Sequence, residues 1–308
     1  MRPVRLGLLG EVSTFETDAV DVALRRRGHV VAGTGNGQEV LVPLDAPSFG
    51  PSPALAAYFE AFGGSTFRKL TRQLISAHGK AVPLAELAKI AGTGAPAYVD
   101  ILVELGVAQR QADDAFLTRT PDNIGPSLEW YVAQFCEREL CGSASWGVQL
   151  ADITVGGDYD VLAWLAPLLV YVELKSSRPS AIDDSEIANF LERGERLAPD
   201  LGIFLVDTRD DLAELRARFF DVMAVAVGKA SGHPEASWRS VRPWIQPQAE
   251  YPGVSFGYRR FYVTNSHPSI LTQLRRCLQH YHTRVKGTMF LGGPGEINFI
   301  TKTQNSQL

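Results

Sequence analysis

The chain has 308 residues, 45% of them hydrophobic and 21% charged, with a net charge of −4. That length carries one to three domains with ample core, and an acidic total does not by itself suggest a nucleic-acid binder. No apolar run reaches the roughly 18 residues that cross a bilayer, and the N-terminal stretch has no small-residue cleavage site, so neither a membrane span nor a signal peptide is expected. The three cysteines, Cys136, Cys141 and Cys277, are too few for a disulfide framework and point to a reducing, cytoplasmic setting.

Residues 4–44 read as a small αβ unit. "VRLGLLG" and "QEVLVPL" suit strands, and "FETDAVDVALRRRG" suits a helix closed by Gly28. "GTGNG" (Gly33 to Gly37) lacks the Lys-Ser/Thr of a P-loop and the helix that follows a dinucleotide fingerprint, so it reads as a turn. "LDAPSFGPSP" is linker-like punctuation.

Between 66 and 119 the pattern changes. "TFRKLTRQLISAHG" is an amphipathic helix, "PLAELAKIAG" a short one, "TGAP" a turn and "AYVDILVELG" a further helix. "VAQRQADDAFLTR" then alternates as a hairpin over an Asp-Asp turn. Helix, helix-turn-helix and β-hairpin is the winged-helix order. The helix in the recognition position carries Asp100 and Glu104 and no Arg, Lys, Asn or Gln, which favours packing or dimerisation over reading base edges.

From 121 to 230 strands and helices alternate. "GPSLEWYVAQFCEREL" is a helix with Pro126 in its first turn. "SWGVQLADIT", "DYDVLAWL" and "PLLVYVELKSS" are strands, "IDDSEIANFLERGERLA" is a helix with Asp183 or Asp184 as N-cap, "LGIFLVDT" is a buried strand, and a helix follows. Beyond residue 231, "VSFGYRRFYVTN" is strand-like, "PSILTQLRRCLQHYHTRV" helical, and "TMFLGGPGEINFI" a hairpin.

One stretch resists a purely structural explanation. "YVELK" places Glu173 and Lys175 in an apolar strand, where unpaired charges are costly. Positions i and i+2 of a strand share a face, so Glu173 and Lys175 point together. If "DYDVLAWL" and "PLLVYVELK" form a hairpin, Asp160 projects from the same end of the sheet. Two or three carboxylates and one ammonium converging at a sheet edge suit a hard divalent cation, Mg²⁺ or Mn²⁺. Such an ion activates water, and the lysine offsets charge on a phosphate. The plain alternative is a structural salt bridge between Glu173 and Lys175 at a solvated strand end, with Asp160 capping a turn.

These residues resemble those of the PD-(D/E)XK nuclease superfamily: Asp160 in "GGDYDV", Glu173-Leu174-Lys175 in "YVELKSS", and Glu129 in the preceding helix as the upstream acid. The order helix, strand, strand, strand, helix, strand agrees over about Gly125 to Asp207. The resemblance implies an α/β restriction-endonuclease-like core, a mixed sheet flanked by helices, behind a winged-helix domain. It implies metal-dependent phosphodiester cleavage, with Asp160, Glu173 and the Leu174 carbonyl as metal ligands, Lys175 as the catalytic lysine and Glu129 as a secondary ligand or orienting group. DNA is expected ahead of RNA as substrate, and a homodimer is implied. CRISPR-associated nucleases gated by cyclic oligoadenylate and restriction enzymes of the Mrr type also pair a winged helix with this core. Residues 1–65 are too short for the complete sensor of the former, and the latter usually show Gln-x-Lys. An activating ligand or partner protein is a further expectation. A nucleic-acid-binding or ligand-gated protein with an inert core is the competing reading.

The expected division is thus 1–65, 66–120 and 121–308. From Ser231 onward there are nine Lys/Arg against three acids, and such asymmetry hints at an anionic partner. Tyr258, Arg259 and Arg260, with Arg275 and Arg276 in the following helix, combine arginines for phosphates with aromatics for bases, a composition that suits a nucleic-acid track.

Overall fold

In the computed structural model, the structure describes residues 18–42, 53–153, 157–231, 254–256 and 260–282. Its centre is a seven-stranded sheet in the order β1-β5-β6-β7-β8-β10-β9. The strands are β1 (Val31–Gly33), β5 (Ser143–Leu150), β6 (Tyr159–Leu165), β7 (Leu168–Lys175), β8 (Leu201–Val206), β9 (Val254–Phe256) and β10 (Phe261–Asn265). Neighbours from β1 to β7 run antiparallel, β7, β8 and β10 are parallel, and β9 returns antiparallel.

A parallel pair needs a crossover. Helix α7 (Asp184–Leu197) supplies it between β7 and β8. Its start is fixed by a capping box between Asp183 and Glu186, which satisfies two otherwise orphaned backbone donors.

Both faces of the sheet are covered, which is why β7 reads as an unbroken apolar run. Val170, Val172 and Leu174 pack with α6 (Gly125–Leu140) and with α9 (Ile270–His280). On the opposite face Leu169 and Tyr171 pack with α1 (Ala19–Arg25), α7 and α8 (Ala213–Ser231). Glu173 and Lys175 continue the second row.

A three-stranded sheet, ordered β2-β4-β3, lies with the helices before α6. The chain runs α2 (Pro53–Gly63), α3 (Ser65–Ser76), β2 (Val82–Pro83), α4 (Leu84–Ala91), α5 (Ala95–Glu104), β3 (Ala108–Gln111) and β4 (Asp114–Leu117). The hairpin turns at Ala112 and Asp113, one residue earlier than the Asp-Asp pair. Ala112 takes a positive φ of 52° there.

Two sequence expectations change here. The described part of residues 1–65 does not stand apart: β1 extends the large sheet beside β5, and α2 packs on α3 and α5. The "QEVLVPL" strand is not formed in its described part. Val40, Leu41 and Val42 are buried in bends, with the Leu41 N–H donating to Ser127 Oγ of α6 at 2.8 Å. A short apolar run reports burial but not period. The "TMFLGGPGEINFI" hairpin lies outside the described residues. Among the described residues no helix is long and apolar enough to cross a membrane.

Close packing of α7 on β10 depends on one glycine. A Cβ on Gly194 would stand 2.5 Å from the Phe261 ring, which is buried against Phe190. Gly194→Ala is therefore expected to destabilise the fold by about 1–3 kcal/mol through overpacking, measurable by denaturant titration.

Candidate active site

Val161 of β6 pairs with Val172 of β7, so the next antiparallel step sets Asp160 opposite Glu173. The Asp160 carboxylate caps this end of the hairpin: its Oδ2 accepts the Leu174 N–H at 2.6 Å. Glu173 is 2% exposed. Lys175, two residues on, places Nζ 3.1 Å from Glu173 Oε1 and 2.9 Å from Glu186 Oε1 at the start of α7.

Glu173 has two further partners. Arg193 of α7 donates through Nη2 to both Glu173 oxygens at 2.8 Å each. Its Nη1 reaches the Asp158 carbonyl. Tyr171, on the same face of β7, donates its hydroxyl to Glu173 Oε2 at 2.5 Å. The alternative salt bridge foreseen between Glu173 and Lys175 is thus formed, but as one link in a longer ionic chain.

Glu129 approaches from α6. It makes no hydrogen bond or ion pair among the described residues. Burial, with the charges of Asp158, Glu173 and Glu39, pushes its carboxyl up to about 8. Burial likewise raises Asp160 well above the ordinary carboxylate range, with Glu173 and Glu129 adding to the effect. Burial by itself would lower Lys175, but Glu173 and Glu186 outweigh it and hold the ammonium above its usual value. Two carboxyls therefore want for positive charge, while the lysine stays charged. Acidic groups shifted this way at a sheet end mark a candidate functional site, although structural ion-pair networks shift acids in the same manner.

Asp160, Glu173, Lys175 and Glu129 are all brought together, and the Leu174 backbone joins them through its N–H. Of the basic residues, Arg260 and Arg275 stand apart from them. Arg260 precedes β10, where its carbonyl accepts the Gly202 N–H. Gly202 is level with Tyr171, so Arg260 stands about 10–17 Å back along the strands from Glu173 and Lys175. It lies 3.7 Å from Glu195. Arg275 on α9 pairs with Glu139 at 3.0 Å, ten residues along α6 from Glu129 and so about 15 Å away. Arg276 donates through Nη1 to Gln273 Oε1 at 3.5 Å on the same helix. Tyr258 and Arg259 lie outside the described residues.

Two features escaped the sequence reading. The first is Arg193 with Tyr171 and Glu186. The available signal was weak: Arg193 flanks the apolar stripe of α7, within about 60° of Phe190 at 100° per residue. The second is a buried knot beside the site. Asp207, at the end of β8, donates its N–H to the Lys175 carbonyl at 2.7 Å. Its carboxylate receives Arg68 Nε and Nη2 at 3.0 and 2.7 Å, Arg72 at 2.5 Å and Ser266 Oγ at 2.8 Å. Arg68 is fully buried on α3, so the helices before the core are bolted to the strand next to Lys175.

No family model matches the chain, and no curated protein matches it. The crystal structure of protein VC1899 from Vibrio cholerae is similar at 14% identity and a TM-score of 0.39, covering 73% of this chain. This chain spans about 60% of that protein's length.

Proposed function

We propose that this chain is a divalent-metal-dependent nuclease, with a restriction-endonuclease-like core from α6 to β8 and a winged-helix unit from α3 to β4. The observation that carries the reading is the register of β6 and β7, which sets Asp160 opposite Glu173 beside Lys175. The strand directions support it, as does the α7 crossover. The order α3, β2, α4, α5 and the β3–β4 hairpin supports the winged-helix assignment.

The residues suit a hard cation. Asp160 spends one oxygen on a backbone N–H and Glu129 spends none among the described residues, so lone pairs remain for an ion. Among the described residues no three His, Cys, Asp or Glu side chains form a ready-made cage. Mg²⁺ does not require one, since it keeps several waters and is usually held by one or two carboxylates plus substrate phosphate. Asp160 and Glu173 would hold the ion, with Glu129 nearby. When bound, the ion supplies charge neutralisation at the phosphodiester and a lowered pKa for the attacking water.

Lys175 acts as a fixed ammonium. Held charged by Glu173 and Glu186, it is suited to orient the water and offset charge growing on the phosphate, not to remove a proton. A non-catalytic reading has one specific observation in its favour, the occupation of Glu173 by Arg193, Lys175 and Tyr171.

Incubation with plasmid, single-stranded DNA and RNA separates the two readings. The nuclease reading expects cleavage with Mg²⁺ or Mn²⁺ and none with EDTA, DNA being cut in preference to RNA. Binding without cutting at any metal concentration supports the inert core instead.

A further inference from the structure

We propose that Arg193 is a positioning residue for Glu173, and that through it helix α7 sets the affinity of the site for a divalent ion. The proposal rests on the nuclease reading above. A carboxylate as buried as Glu173 must be compensated, and α7 provides the one partner that meets both of its oxygens. One arm of the Arg193 guanidinium meets both Glu173 oxygens, and the other meets the Asp158 carbonyl. Asp158 stands two residues before Asp160, so a single fork ties together the two strands that present the acid pair.

The same helix holds the lysine. Glu186 accepts Lys175 through Oε1 and the Asp183 N–H through Oε2. Both ends of the Glu173–Lys175 pair are therefore set by one rigid element whose start is locked by its capping box. Glu129, Asp160, Glu173 and Glu186, with Asp158 and Glu39 close by, outnumber the two cations Lys175 and Arg193, an excess of acid that a divalent ion would offset.

The direction of the effect follows from what surrounds Glu173. Without the guanidinium, Lys175 and Tyr171 are already within 3.1 and 2.5 Å. What Glu173 would lose is the tie to the Asp158 backbone that fixes its place beside Asp160, so the acid pair would no longer be held at a set spacing for an ion. The added negative charge does not restore that spacing. Groups that orient a metal ligand typically cost 10–100-fold in metal affinity when removed.

The test is Mn²⁺ binding to the full chain, followed by electron paramagnetic resonance, alongside plasmid cleavage against Mn²⁺ concentration. For Arg193→Gln the Mn²⁺ Kd is expected to rise about 10–100-fold, and the half-saturating Mn²⁺ for cleavage to rise with it. Arg193→Lys, which keeps the charge but cannot span Glu173 and the Asp158 carbonyl, should give an intermediate Kd. A purely structural role would lower the melting temperature in EDTA and leave Kd unchanged. A folded Arg193→Gln protein with the wild-type Kd overturns the proposal. Should that variant fail to fold, a wild-type Kd in Arg193→Lys overturns it equally. Wild-type protein that neither binds Mn²⁺ nor cuts overturns the nuclease reading, and this proposal with it. Wild-type binding and cutting, matched by the variants, overturns this proposal alone.

Discussion

Lys175→Ala is expected to lower metal-dependent cleavage by about 10²–10³-fold, the range for loss of one preorganised electrostatic donor, while leaving the fold in place. The second half of that expectation makes the result interpretable. Glu173 loses one cation but keeps the Arg193 guanidinium on both oxygens and the Tyr171 hydroxyl on one. Lys175 is itself 20% exposed, so its removal opens little of the core. Single-turnover cleavage at saturating Mg²⁺, paired with a melting curve, measures both quantities. Cutting at the wild-type rate would remove Lys175 from the chemistry and reduce the cluster to an ion pair at a strand end.

Arg68→Ala is expected to destabilise the protein by about 3–5 kcal/mol, because it leaves Asp207 charged, buried and short of its bidentate partner. Arg72 and Ser266 remain in contact but supply single bonds. The same knot predicts an acid limb of the stability curve. Although burial alone would raise it, the carboxyl of Asp207 is held at about 2, below its ordinary 3.8, by Arg68, Arg72 and Ser266. A depressed folded-state pKa means that the stabilisation is fully present above about pH 4. It is lost as the pH falls through 3.8 towards 2, and it amounts to roughly 2 kcal/mol. Urea titrations between pH 5 and pH 2 should show wild type losing about that much more than Asp207→Asn, which has no carboxyl to titrate. Parallel curves for the two proteins would show that Asp207 does not carry this limb. Since the Asp207 N–H bonds to the Lys175 carbonyl, Arg68→Ala is also a direct way to loosen the backbone behind the lysine.

The parts of the site readable in the sequence are those governed by short-range geometry. A strand has period two, so Glu173 and Lys175 had to share a face, and the apolar run around them announced a strand covered on both sides. Only two residues, Ala166 and Pro167, separate β6 from β7, so closing the hairpin carried Asp160 opposite Glu173. The helices and hairpin between α3 and β4 were readable for the same reason: their patterns repeat within a turn or a strand pair. "QEVLVPL" misled because three buried apolar residues look alike in a strand and in a bend pinned to α6.

Everything that crosses the molecule had to wait for the fold. Arg193 and Glu173 are twenty residues apart, and Arg68 and Asp207 are 139 apart. Nothing in local composition tells a buried arginine which carboxylate it will meet. The basic residues after β9 show the same limit from the other side. Their place relative to the acids was not readable in composition: β10 enters the sheet parallel to β8, which puts Arg260 at the end away from the acids. Pattern and spacing determined which side chains share a strand face. Strand direction, crossover and helix docking decided which of them meet, because those choices are made by burying whole faces at once, and no single residue's neighbours in sequence encode them.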